Sequence, residues 1–188
     1  MTAPATPMTT LTEKIVRLHQ SMRAGGFAHA FGGALALAWC TERARGTVDI
    51  DCNIFVGGNE AAEVAAALPK EVAWTEADVA VLARDGQIRL FWGPTPIDLF
   101  LNTTDFHEQA ALRAKVQTFA GEEIPFLACT DLTVFKAFFN RTKDWADIEE
   151  MLAIGSIDRE RVIGVLTLFL GGDDERVDRF TTLCRQQR

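Results

Sequence analysis

Through its first two thirds this chain alternates between a helical and a strand spacing of apolar positions, and from there to the end the helical spacing persists. In residues 12–23, Ile15, Leu18 and Met22 recur on one helical face, and Gly25-Gly26 stops the run, so the spacing predicts a first helix. Residues 27–31 read as a short strand. Gly32-Gly33 then opens residues 34–42, an Ala- and Leu-rich stretch with strong helical preference. In residues 47–56 the period becomes two: Val48, Ile50 and Cys52 alternate with Asp49, Asp51 and Asn53. Successive strand side chains point to opposite faces, so this strand is expected to carry carboxylates on one face and apolar groups on the other.

Asn59 reads as the cap of a helix over residues 60–68, ended by Pro69. Residues 71–85 fit helix and strand alike. Residues 88–92 and 97–101 predict a hairpin turning at Gly93-Pro94-Thr95-Pro96, with Asp98 in its second arm. A short helix follows over 105–113, a β-like stretch over 116–126, and then helices over 131–140, 143–154, 158–170 and 173–185. Mixed elements followed by a run of helices predict an α+β fold, a mixed sheet with flanking helices and a C-terminal helical bundle. Residues 1–9 are expected to be disordered, 10–128 to form the α/β core, and 129–188 to form a helical region packed on it as one unit.

At 188 residues and 48% hydrophobic content the chain can close one domain-sized core. A net charge of -7 removes any global pull toward nucleic acid, although a local basic patch can still hold a polyanion. Cys40, Cys52, Cys129 and Cys184 form no CxxC pair and have no histidine at ligand spacing, so they read as reduced, mostly buried thiols. No basic segment followed by an apolar run starts the chain. The longest apolar stretch, residues 27–40, is broken by His29, Gly32 and Gly33 and is shorter than the roughly 20 residues of a bilayer span. A cytoplasmic protein without a membrane partner is expected.

The chemistry concentrates in three acids. Asp49 and Asp51 project together from one strand, and Asp98 can join them from a neighbour. Clustered carboxylates repel unless a cation neutralises them, and hard oxygen ligands suit Mg²⁺ or Mn²⁺ shared with substrate phosphates. Gly32-Gly33 at a helix N-terminus lets backbone amides approach phosphate oxygens, and Arg43, Arg45 and Thr47 stand just before the acidic strand. Alone, two strand aspartates most often form a solvated face. The ordered combination of strand, Gly-Gly, helix, Arg-x-Thr, Asp-x-Asp strand and later Asp is more specific.

In that ordered set the chain resembles the nucleotidyltransferase superfamily related to DNA polymerase β, with a closer likeness to AbiEii-type toxin nucleotidyltransferases. The matching segments are Phe31-Gly32-Gly33-Ala34, Arg45-Gly46-Thr47-Val48-Asp49-Ile50-Asp51, Asp98, Asp131 to Lys136, and Arg141 to Ile148. The resemblance covers roughly residues 27–150. It implies that Asp49 and Asp51 bind metal, that Asp98 completes the triad or acts as base, and that Lys136 reaches a phosphate or assists acid-base chemistry, with Asp144 and Asp147 orienting it. Gly32, Gly33, Arg45 and Thr47 would hold the nucleotide phosphates. Gly33 stands where many relatives have Ser, and the chain is shorter than most toxins of this kind.

These expectations compete with plainer ones. Lys143 reads by preference as a solvated helix residue, and Asp144 and Asp147 read equally as acids favoured in a helix's first turn. His29 reads as a structural histidine, and His19 and His107 fall on helices without a nameable partner. Trp92 and the thirteen phenylalanines read as core, with Phe91 and Trp92 placed to border a base pocket. The leading functional expectation is transfer of a nucleoside monophosphate from a triphosphate to RNA, protein or a small molecule; if the AbiEii-type resemblance extends to a toxin-antitoxin setting, it implies a cognate antitoxin as a restraining partner. The alternative is a catalytically silent nucleotide-binding or interaction protein. A glycosyltransferase built on Asp49-x-Asp51 would need a larger nucleotide-binding half upstream than the chain provides.

Overall fold

The computed structural model describes residues 9–44 and 46–187. Helix α1 (Leu11–Ala24) starts at a capping box in which the Thr10 hydroxyl accepts from the Glu13 amide and Glu13 accepts in return. It buries Ile15, Leu18 and Met22, the predicted stripe. Strand β1 (His29–Phe31) leads through Gly32 into α2 (Gly33–Thr41). Strand β2 (Ile50–Ile54) is shorter than the apolar alternation suggests, because Val48 is 77% exposed and Asp49 sits in a bend before the strand. A single 3-10 turn, Gly58–Glu60, precedes α3 (Ala61–Ala67), so Asn59 lies inside that turn and does not cap the helix.

The ambiguous stretch splits into a two-residue strand, β3 (Val72–Ala73), and α4 (Glu76–Asp85), which has its own Thr75/Asp78 capping box. Strands β4 (Gln87–Trp92) and β5 (Thr95–Phe100) form the predicted hairpin on a tighter turn, with only Gly93-Pro94 between the arms. After α5 (Asp105–Arg113), the β-like stretch resolves into a second hairpin, β6 (Lys115–Phe119) and β7 (Glu122–Phe126). The chain ends in α6 (Cys129–Phe139), α7 (Thr142–Ile154), α8 (Arg159–Leu170) and α9 (Glu175–Gln186), each within a few residues of its predicted bounds.

Among the described residues, seven strands form one mixed sheet in the order β3-β4-β5-β2-β1-β7-β6. At its centre β2 runs parallel to β5 and antiparallel to β1, and β1 runs parallel to β7. The core includes Phe31, Ile50, Ile54, Ile97 and Phe126 from the sheet and Leu132, Trp145, Met151 and Phe180 from the helices. Lys136 of α6 and Lys143, Asp144 and Asp147 of α7 line one cavity with Asp51 and Asp98, so these C-terminal helices pack onto the sheet side that bears the acids. No helix among the described residues is long and apolar enough to cross a membrane.

The cysteines correct the sequence reading. Cys40, near the end of α2, and Cys129, the first residue of α6, form a disulfide, leaving Cys52 and Cys184 as buried free thiols. Spacing gave no hint of this because 89 positions separate the pair, and only the packing of α2 against α6 brings them together. The first eight residues of the segment expected to be disordered lie outside the described residues.

Candidate functional site

In-register pairing of β2 with β5 sets Asp51 directly beside Asp98, and Asp49 lies two residues back from Asp51. These acids line a cavity of about 310 Å³ whose other walls include Gly33 and Ala34 of α2, Lys136 of α6, and Arg141 and Lys143 around the start of α7. Burial first, and then the charges of Asp49 and Asp98, push the Asp51 carboxyl up to about 6, with Lys136 and Lys143 pulling the other way. The repulsion expected from the sequence is therefore present in the fold.

Two predicted phosphate contacts take definite places. Gly33 adopts a left-handed φ of +51°, and a Cβ there would collide with the Asp51 carboxylate, so the serine common at this position in the resembled family has no room unless Asp51 moves. Gly32 caps α2 without a side chain, which leaves the first-turn amides of α2 at the cavity wall beside Ala34. The Thr47 hydroxyl is engaged locally, donating to Asp49 Oδ1 at 2.6 Å. Arg45 lies outside the described residues. Arg43 is turned to the surface, where it pairs with Glu150 at 3.0 Å.

Lys136 is buried, and its ammonium donates to Asp147 Oδ2 at 2.7 Å and Asp144 Oδ1 at 3.4 Å. Arg141 donates to the same Asp144 at 2.6 and 3.2 Å, and this pairing holds the Arg141 guanidinium above its usual pKa. Asp144 is fully buried between these two cations, so it shapes this corner of the cavity and is more than a first-turn acid. Lys143 is exposed at the cavity wall and makes no ion pair among the described residues.

One participant is absent from the sequence reading. Arg89, opposite Asp98 across the β4–β5 hairpin, grips it with two parallel hydrogen bonds of 2.7 and 2.6 Å, and its Nη2 lies 3.8 Å from Asp49. A four-residue turn places Phe91 near Asp98, whereas the observed two-residue turn places Arg89 there. The hairpin register was the signal that could have found it. Phe91 is exposed and Trp92 is buried with Lys14 donating to its carbonyl, and neither lines the cavity.

Among the described residues, no three His, Cys, Asp or Glu side chains stand close enough to hold a metal ion as they are arranged. The Arg89 guanidinium takes the place of a counter-ion, drawing Asp98 to itself. The remaining histidines are structural: His29 bonds the Phe27 carbonyl through Nδ1 and meets His19 at 2.9 Å, and burial lowers the pKa of both rings.

This order of sheet and helices, with acids on the two central parallel strands and a glycine-led helix beside them, is a nucleotidyltransferase fold. Two solved structures match it over nearly their whole length. The crystal structure of ANT(2'')-Ia in complex with adenylyl-2''-tobramycin has a TM-score of 0.57 at 15% identity, covering 93% of this chain and 98% of that one. The solution structure of the antibiotic-resistance factor ANT(2'')-Ia has a TM-score of 0.51 at 14% identity, covering 95% and 93%. At these identities the likeness establishes the fold. No protein-family model and no curated protein sequence matches the chain.

Proposed function

We propose that the chain is a metal-dependent nucleotidyltransferase that moves a nucleoside monophosphate from a triphosphate to an acceptor hydroxyl or amine. The observation that carries this reading is the juxtaposition of Asp51 and Asp98, in register on parallel strands, with the amide-bearing start of α2 and the Arg141/Lys143 corner in one cavity. An anion fits the second set and a hard divalent cation fits the first. The donor set suits Mg²⁺ or Mn²⁺ in kind, and Asp98 becomes available to it on leaving Arg89. When bound, such a cation would neutralise the acids and polarise the phosphoryl oxygens.

The chain's own residues then divide the work. The α2 amides and Lys143 bind and orient the β- and γ-phosphates. Lys136, fixed by Asp144 and Asp147, sets the positive potential beside the α-phosphate. The acceptor oxygen or nitrogen forms a bond to the α-phosphorus as the bond to the bridging oxygen breaks, pyrophosphate departs, and Asp98 takes the acceptor's proton. The acceptor is RNA, protein or a small molecule, and the AbiEii-type resemblance adds an antitoxin that restrains the enzyme.

The tight Arg89–Asp98 pair favours a second reading, a silent protein that retains the fold and has replaced its metal by an internal cation. Calorimetry with each of the four ribonucleoside triphosphates separates the two. Under the first reading, binding requires Mg²⁺ and disappears in the Asp49→Asn, Asp51→Asn double variant. Metal-independent binding, unchanged in that variant, supports the silent protein.

A further inference from the structure

A second cavity, of about 290 Å³, opens off the first and shares Gly33, Asp51, Lys136 and Arg141 with it. Its other walls differ in kind. Two residues beyond Asp51 and Asp98, on the same sheet face, the register pairs Asn53 with Phe100. From the opposite side α6 contributes Phe135, Phe138 and Phe139, and the Phe139 ring meets Phe100 edge-on at 5.8 Å. The cavity is therefore amphipathic along its length: a charged end at the carboxylates and an aromatic end beyond them.

Asn53 brings a hydrogen-bonding group to the aromatic end. It is 5% exposed, lines the chamber, and its side-chain amide makes no hydrogen bond among the described residues. Its amide atoms are not sealed off from the cavity, so they are open to bond a ligand that enters it. Elsewhere the chamber is nearly neutral. Asp85 at its rim is already held by Arg84 through two 2.6 Å hydrogen bonds, and His107, whose pKa burial lowers, bonds back to Thr104. A polycation finds no free acid in this chamber apart from Asp51 at the mouth.

We propose that this chamber holds the nucleobase and ribose of the triphosphate whose phosphates occupy the carboxylate cavity, an inference that rests on the nucleotidyl-transfer reading. A nucleoside triphosphate has the same polarity as the double cavity, with a polyanion at one end and a flat, uncharged, hydrogen-bonding ring at the other. Phenylalanine rings pack against a base of any identity, and the Asn53 amide offers one donor side and one acceptor side to its edge. The volume lies at the low end of small-molecule sites, enough for a nucleoside and too small for a folded polymer.

The test compares Mg²⁺-dependent binding of tripolyphosphate with that of the four ribonucleoside triphosphates, in the native chain and in Asn53→Leu and Phe139→Ala. The expected result is that at least one triphosphate binds the native chain about tenfold or more tighter than tripolyphosphate, and that both variants lose this advantage while holding tripolyphosphate as before. Two variants are used because Phe139 also stacks under Arg141, and the tripolyphosphate arm reports any loss through that contact. If the native chain binds nucleotides no tighter than tripolyphosphate, or the variants keep the full advantage, the base does not enter the chamber and the inference falls. The function reading then stands, and the chamber is left to the acceptor. If neither ligand binds with Mg²⁺, the function reading itself is overturned and this inference with it.

Discussion

Burial of Asp51 between Asp49 and Asp98 raises its carboxyl from an ordinary 3.8 to about 6, so in that interval the folded chain keeps a proton that the unfolded chain has released. A raised acid contributes stability that is complete below the unfolded value and is lost as pH rises through the folded one. The expected consequence in chelator-treated protein is that native stability, relative to Asp51→Asn, falls by about 3 kcal/mol between pH about 4 and about 7. Urea unfolding of the two proteins across that range measures it, and a pH-independent difference would contradict the assignment. Arg89 supplies a second prediction at this scale. Its removal takes a cation out of the acidic cluster and frees Asp98, so Arg89→Ala is expected to bind Mn²⁺ several-fold more tightly than native. Weaker binding in a titration would show that Arg89 organises the acids and does not compete for them. The three acids were legible because charge on an otherwise β-forming strand is conspicuous. Arg89 and Asn53 were not, since an arginine's partner depends on hairpin register and an amide's role on what lies opposite.

At the scale of elements, the C-terminal helices were legible almost to their ends, since their apolar stripes recur at helical spacing and Asp158 and Asp174 cap α8 and α9 as expected of acids at N-termini. Strand β2 was overextended because Val48, although β-branched, has no sheet neighbour to pack on and points to solvent. Several phenylalanines assigned to core instead form the chamber wall, a distinction invisible to hydropathy because both environments are apolar. The tie between α2 and α6 was hidden by its sequence separation. It joins the helix that begins at the glycine pair to the helix that carries Lys136, so it fixes two walls of the same cavity. Alkylation of denatured, unreduced protein followed by mass spectrometry is expected to label Cys52 and Cys184 and to leave Cys40 and Cys129 untouched. Labelling of all four would return the chain to the reduced state read from sequence.

For the molecule as a whole, the fold places a polar cavity and an aromatic one end to end between the sheet and the last helices, with Asp51 at their junction. The fold class was legible from the order of motifs, and the two ANT(2'')-Ia structures share it over more than nine tenths of this chain. The acceptor was not legible, because nothing in a linear motif describes the surface that receives it. The central claim is nucleotidyl transfer, and the most direct measurement is Mg²⁺-dependent release of pyrophosphate from an α-phosphate-labelled ribonucleoside triphosphate, with transfer of the label to components of an RNA, protein and small-molecule extract. Pyrophosphate release matched by label in one fraction, absent from the Asp49→Asn, Asp51→Asn variant, is the predicted result. Release and labelling no greater in the native chain than in that variant, with all four triphosphates, would contradict the account.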